Sequence, residues 1–227
     1  METIIITGAN RGIGLELARL FLQAGKRVIA GCRQPDKAEA LRKLPGALEI
    51  LQLDVASGAS IEAFVMQIKG PVDVLINNAG VYGGQQQGLQ DMDYAQWLRT
   101  LEINTLAPLR LAASLLPNLL QAQRPRIVTV SSQMGAFNVE EPGSGTYAYR
   151  SSKAAVSKVM QTLAQELKAD GVIVCPVHPG WVRTDMGGAQ ATLSVEQSGH
   201  GLFNLIEALT PAQSGRFWRW DGSEHPW

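Results

Sequence analysis

Ile4-Ile5-Ile6 and Val172-Ile173-Val174 are apolar without a break, a pattern expected of strands covered on both faces. Residues 3–7, 27–31, 48–53, 72–76, 126–131, 172–176 and 215–220 all read as strands. Between them lie helix-length stretches, among them 13–24, 61–68, 94–120 (interrupted near Pro108 and Pro117) and 147–169. In the last, Val156, Val159, Met160, Leu163 and Leu167 recur at helical spacing and form its core face. Alternating β and α from end to end predicts an α/β fold, a doubly wound parallel sheet with helices on both faces. There is no internal repeat, charge block or linker, so residues 1–227 are expected to be a single domain.

Composition removes several function classes. Twenty Lys and Arg balance twenty Asp and Glu, so no bulk charge points to nucleic acid or an anionic membrane. No apolar stretch approaches the ~20 residues of a membrane helix, and the first strand begins too near Met1 for a signal peptide. A cytoplasmic protein is the expectation. Cys32 and Cys175 make no disulfide framework and read as buried thiols. His178, His200 and His225 have no metal-ligand spacing, so no metal is expected.

The polar and glycine motifs gather at strand ends. Thr7-Gly8 follows the first strand, Arg33 the second, Asp54 the third, Asn77-Asn78-Ala79-Gly80 the fourth, Ser132 the fifth and His178-Pro179-Gly180 the sixth. Open α/β sheets bind ligands outside the carboxyl ends of their strands. Residues 7–14, Thr-Gly-Ala-Asn-Arg-Gly-Ile-Gly, lie between a buried strand and an amphipathic helix. Gly8, Gly12 and Gly14 suit a tight turn, a close backbone approach to pyrophosphate and close helix packing. Asn10, Arg11 and Ile13 belong to the same turn, where a helix N-terminus offers N–H groups to phosphate. The second strand ends Gly31-Cys32-Arg33 with no acid before Asp36. An arginine there, with Arg11 nearby, favours a 2′-phosphate and hence NADP(H) over NAD(H).

Tyr149 and Lys153 lie four apart on one helix face. Together with the glycine turn, Asn-Asn-Ala-Gly and Ser131-Ser132, they make the whole chain resemble the short-chain dehydrogenase/reductase family. Tyr147-Ala-Tyr149-Arg-Ser-Ser-Lys153, Pro179-Gly-Trp-Val-Arg-Thr-Asp-Met-Gly-Gly188 and the Asp221-Gly…Pro226-Trp227 ending look like its C-factor/sniffer-like carbonyl reductase branch.

The resemblance implies a Rossmann fold with strand order 3-2-1-4-5-6-7 and a set of roles. Tyr149 is the implied general acid/base, Lys153 its partner, Ser132 the donor to the substrate carbonyl, and Asn104 a helix-breaking member of a proton relay. Asn77, Ala79 and Gly80 would adjoin the adenosine end of the cofactor, and Asp54 with Val55 the adenine. Pro179, Gly180, Val182 and Thr184 would hold the nicotinamide end, where Tyr149 and Lys153 also meet the cofactor. A short substrate loop is expected around 186–200.

These residue types suit the chemistry. Free tyrosine titrates near ~10, too high for efficient acid/base work at neutral pH; a lysine ammonium beside it favours phenolate. Ser132 can donate to an oxyanion as it forms. Tyr147 has no lysine four residues on, and strand alternation sends Ser131 and Ser132 to opposite faces.

The expected function is NADPH-dependent reduction of a small carbonyl substrate, or the reverse alcohol oxidation. The resemblance also suggests a homodimer or homotetramer, although some related carbonyl reductases are monomers. The competing reading is an NADP(H)-binding regulatory or signalling protein of C-factor type with little or no turnover. Residues 133–146 read as a loop bordering the substrate, with the Glu140-Glu141 pair as solvated surface. Trp181 reads equally as pocket lining or core.

Overall fold

The computed structural model describes residues 1–138 and 145–227. Strands β1 (Thr3–Thr7), β2 (Arg27–Cys32), β3 (Leu48–Gln52), β4 (Val74–Asn77), β5 (Arg126–Val130), β6 (Ile173–His178) and β7 (Trp218–Arg219) form one seven-stranded sheet. Its order is β3-β2-β1-β4-β5-β6-β7, as expected, and each neighbouring pair is parallel. Helices are α1 (Gly12–Gln23), α2 (Glu39–Arg42), α3 (Gly58–Val65), α4 (Tyr94–Leu101), α5 (Ala107–Leu119), α6 (Tyr147–Glu166) and α7 (Val195–Ala208).

The unbroken isoleucine run of β1 sits at the centre, with Ile5 between Ile29 and Leu75. Ile4 and Ile6 pack into the layer of α1 and α7, while Ile5 joins that of α3, α5 and α6. All three isoleucines are fully buried, each worth about 1.5–3 kcal/mol of apolar burial. Phe21 of α1 meets Phe203 of α7 edge-on at 4.9 Å and pins that outer layer together.

Two readings are corrected by the structure. The long segment from Tyr94 is interrupted by a π-helical turn at Glu102–Leu106, not at its prolines. Pro108 lies in the first turn of α5, where a missing N–H is tolerated, and Pro117 sits within the last. The substrate loop expected over 186–200 ends at Ser194, whose hydroxyl caps α7 in a reciprocal box with Gln197.

At the amino end of the sheet, the fully buried Arg126 side chain reaches Glu2 at 2.8 Å, Glu207 at 3.4 Å and the Ile206 carbonyl at 3.1 Å. Lys26 pairs with the same two glutamates. This cluster ties β1, β2, β5 and α7 on the side away from the motifs. The chain order reverses between β1 and β4, which opens the crevice at the opposite, carboxyl edge.

Candidate active site

At that crevice, Thr7 and Asn78 join the two central strands. The Thr7 hydroxyl accepts the N–H groups of Asn78 at 3.0 Å and Ala79 at 2.9 Å. The Asn78 amide donates back to the carbonyls of Thr7 (2.9 Å) and Gly8 (3.2 Å). Neither was among the expected site residues, although both lie in the motifs that marked the site. The glycines are required by contact. A Cβ on Gly14 would lie 2.5 Å from Asn78 Nδ2 and 2.6 Å from the Gly8 carbonyl. Gly12 has a left-handed φ of 54° and faces Thr184, so the loop after β6 closes over the turn.

Arg11 caps α1 without a side-chain bond to it, leaving first-turn N–H groups directed outward. With glycine on both sides of this opening, the turn fits a pyrophosphate. Asn10 and Arg33 are exposed beside it, and Ile13 is half-buried. Arg11 does not turn toward Arg33: it pairs with Asp185 from the loop after β6. Asp54 accepts the Ala56 N–H at 3.0 Å, stabilising the turn that buries Val55. Asn77 donates to Thr129 at 3.2 Å, and its Oδ1 is buried without a partner among the described residues.

Further along the edge, Gly80, Asn104, Tyr149 and Lys153 converge. Lys153 Nζ donates to the Val130 carbonyl at 2.8 Å and lies 5.7 Å from the Tyr149 ring centroid. A Cβ on Gly80 would sit 3.2 Å from Asn104 Oδ1 and 3.7 Å from Lys153 Nζ. Burial pushes the Lys153 ammonium down to about 8, so it still carries charge at neutral pH. Tyr149 is 9% exposed against 43% for Tyr147, which points away.

Asn104 sits in the π-helical turn. Its amide donates to the Val81 carbonyl (2.8 Å) and Ser152 Oγ (3.0 Å), and its Oδ1 accepts the Val81 N–H (2.9 Å). Ser131 is drawn toward α6, contacting Ser157 Oγ at 2.7 Å and the Lys153 carbonyl at 3.1 Å. Ser132 instead starts a tight 3-10 turn, Gln133–Gly135, and accepts the Met134 N–H at 3.2 Å. That turn lies directly on α6: a Cβ on Gly135 would be 2.5 Å from the Ala154 nitrogen.

His178 Nδ1 accepts the Gln133 N–H at 3.3 Å, and burial holds the ring far below its ordinary pKa, at about 3. Pro179 accepts the Ser198 hydroxyl at 2.6 Å. Gly180, at φ 83°, lies against Leu193 and Trp220. Val182 is buried and bridges Leu193. Trp181 is 52% exposed and donates to the Gly187 carbonyl at 2.8 Å, which excludes the core alternative. Cys32 and Cys175 are buried free thiols, and burial pushes Cys175 up to about 12. Of the loop expected over 133–146, residues 139–144, with the Glu140-Glu141 pair, lie outside the described residues.

Residues 2–193 match the family described as short chain dehydrogenase. The chain belongs to the short-chain dehydrogenase family. Within the family it resembles the carbonyl reductase Sniffer of D. melanogaster, with TM-score 0.93 and 32% identity over all of both chains. An NADPH-bound carbonyl reductase from chicken fatty liver aligns with TM-score 0.92 and 30% identity, covering 100% of this chain and 99% of the other. By sequence, the C-signal of Myxococcus xanthus is 46% identical over 158 residues, 70% of this short-chain dehydrogenase and 94% of the relative. Among the described residues, no helix is long and apolar enough to cross a membrane.

Proposed function

We propose that this short-chain dehydrogenase is an NADP(H)-dependent carbonyl reductase with Tyr149 as its proton donor. The observation that carries the reading is the buried Lys153 amine, held by the Val130 carbonyl beside the Tyr149 ring. A charged lysine next to a phenol lowers the cost of giving up its proton.

The glycine turn and the Thr184 loop would hold the cofactor. NADPH held there would supply the hydride. Ser132, with its oxygen accepting from Met134, keeps its own proton to donate to the substrate carbonyl. Tyr149 delivers a proton to the oxygen as negative charge develops, and Lys153 stabilises the phenolate left behind. Because the Asn104 amide is taken up by Val81 and Ser152, a relay water would bind its main-chain carbonyl. The exposed Arg33 suits a 2′-phosphate, and the NADPH-bound relative supports that preference.

The test is NADPH oxidation against aldehydes, ketones and quinones, with NADH and Tyr149→Phe in parallel. Turnover should fall by ~100-fold or more in the variant, with NADPH binding kept. A Tyr149→Phe protein that still turns over refutes the mechanism. The likeness to C-signal favours a second reading, a regulatory NADP(H)-binding protein. Tight NADPH binding with no turnover on any carbonyl would favour it.

A further inference from the structure

Gln85, Gln86 and Gln87 are consecutive, yet only Gln87 is buried, at 2% exposure. A buried amide is costly unless its polar atoms are satisfied. Gln87 Nε2 donates to the carbonyls of Tyr82 (3.0 Å) and Gly84 (2.8 Å). Its Oε1 accepts the backbone N–H of Tyr149 at 3.1 Å, 62 residues away. Both donors and the acceptor are therefore used, on two separate elements.

The Tyr149 end of this tether meets a need of helix α6. The N–H of its third residue has no carbonyl within the helix to bond. The residue before the helix, Thr146, has a left-handed backbone (φ 55°, ψ 33°) and no side-chain cap. Gln87 supplies the missing acceptor from the loop between β4 and α4. That loop is fixed at its start by Asn104, which holds Val81 through both N–H and carbonyl. Gly83 is wedged where a Cβ would lie 2.8 Å from Thr100 Oγ1 and 3.3 Å from Ala148 Cβ. Tyr82 places its ring 5.0 Å from that of Tyr149, tilted by 34°. The loop and the start of α6 border an open cavity of about 630 Å³ whose lining includes Tyr82, Gln87, Gly145 and Thr146.

We propose that Gln87 is a positioning residue: it sets Tyr149 through the first turn of α6 and holds Tyr82 as a wall of the substrate pocket. The inference rests on the reductase reading for its kinetic consequence. Two variants separate the two halves of the tether. Gln87→Met loses both. Gln87→Glu keeps an acceptor for Tyr149 and loses at least one of the two donors to Tyr82 and Gly84.

In Gln87→Met, kcat should fall by ~10- to 100-fold, the scale of a small misplacement of a reacting group, with the NADPH Kd within about twofold of wild type. In Gln87→Glu, kcat should stay within about threefold and the substrate KM should rise about fivefold or more as the Tyr82 wall loosens. Amide hydrogen exchange gives a readout free of turnover. Gln87→Met should speed exchange both in residues 82–88 and at Tyr149, and Gln87→Glu in the loop alone. A Gln87→Met kcat within twofold of wild type, or unchanged exchange at Tyr149, overturns the proposal. Wild-type protein without any turnover refutes the reductase reading instead, and the exchange comparison then decides the tether.

Discussion

His178 offers a quantitative link between the buried frame and pH. Its ring is 4% exposed, and burial, then the neighbouring His225 and Arg219, lower its pKa from 6.5 to about 3. The unfolded chain thus takes up a proton near pH 6.5 that the folded protein refuses until about pH 3. The stability this group contributes is fully present above 6.5 and is lost as pH falls toward 3. Each unit costs ~1.4 kcal/mol, so from about pH 7.5 to about pH 5 the loss is about 2 kcal/mol. Protonation at Nδ1 would also end the bond from the Gln133 N–H, next to Ser132. His178→Asn can keep an acceptor near Nδ1 and cannot titrate. Urea unfolding of both proteins at the two pH values isolates the term, since other acid effects cancel. Wild type should lose about 2 kcal/mol more than the variant, with equal m-values. Equal losses would refute the assignment of a buried neutral histidine.

Other consequences are sharper at the crevice. Arg33→Asp should shift the ratio of NADPH to NADH affinity by ~10-fold or more toward NADH; an unchanged ratio in fluorescence titrations removes Arg33 from 2′-phosphate recognition. Gly14→Ala forces a Cβ to within 2.6 Å of the Gly8 carbonyl. It should cost about 1–3 kcal/mol, seen as a Tm lowered by about 3–9 °C, together with loss of NADPH binding; a variant that binds normally contradicts the cradle. Lys153 loses its proton as pH rises through about 8. Reductive kcat/KM, which reports the free enzyme, should therefore decline above that pH, and a flat profile to pH 10 would sever Tyr149 from Lys153.

The strands were legible because continuous apolar runs have few other stable homes. Their ends carried the motifs, so the crevice could be placed from the sequence. Helix α7 was absent from the helix readings because Gly199 and Gly201 interrupt its pattern and its start fell within the loop expected over 186–200. Packing explains those glycines: a Cβ on Gly199 would lie 2.4 Å from Glu16, and one on Gly201 2.4 Å from the Trp220 carbonyl. The break after α4 was misplaced because proline is the visible helix breaker, whereas the π-helical turn is held by tertiary bonds of Asn104. Gln87 carried no signal at all. Three glutamines in a row look alike until the fold buries one. Arg11 looked available for phosphate because its partner, Asp185, lies 174 residues away.

The ion cluster around Arg126 has a practical consequence for altering this protein. Its four side chains, Glu2, Lys26, Arg126 and Glu207, come from elements whose far ends or neighbours form the crevice, but none lies in the loops 78–93 or 179–194. Removing Glu2 would leave the buried guanidinium with the longer contact to Glu207 and the Ile206 carbonyl, a loss below the ~3–5 kcal/mol of a buried pair broken outright. Grafted loops from a relative would leave that foundation untouched. The two rims of the sheet can thus be altered separately, the loops at one and the ion cluster at the other.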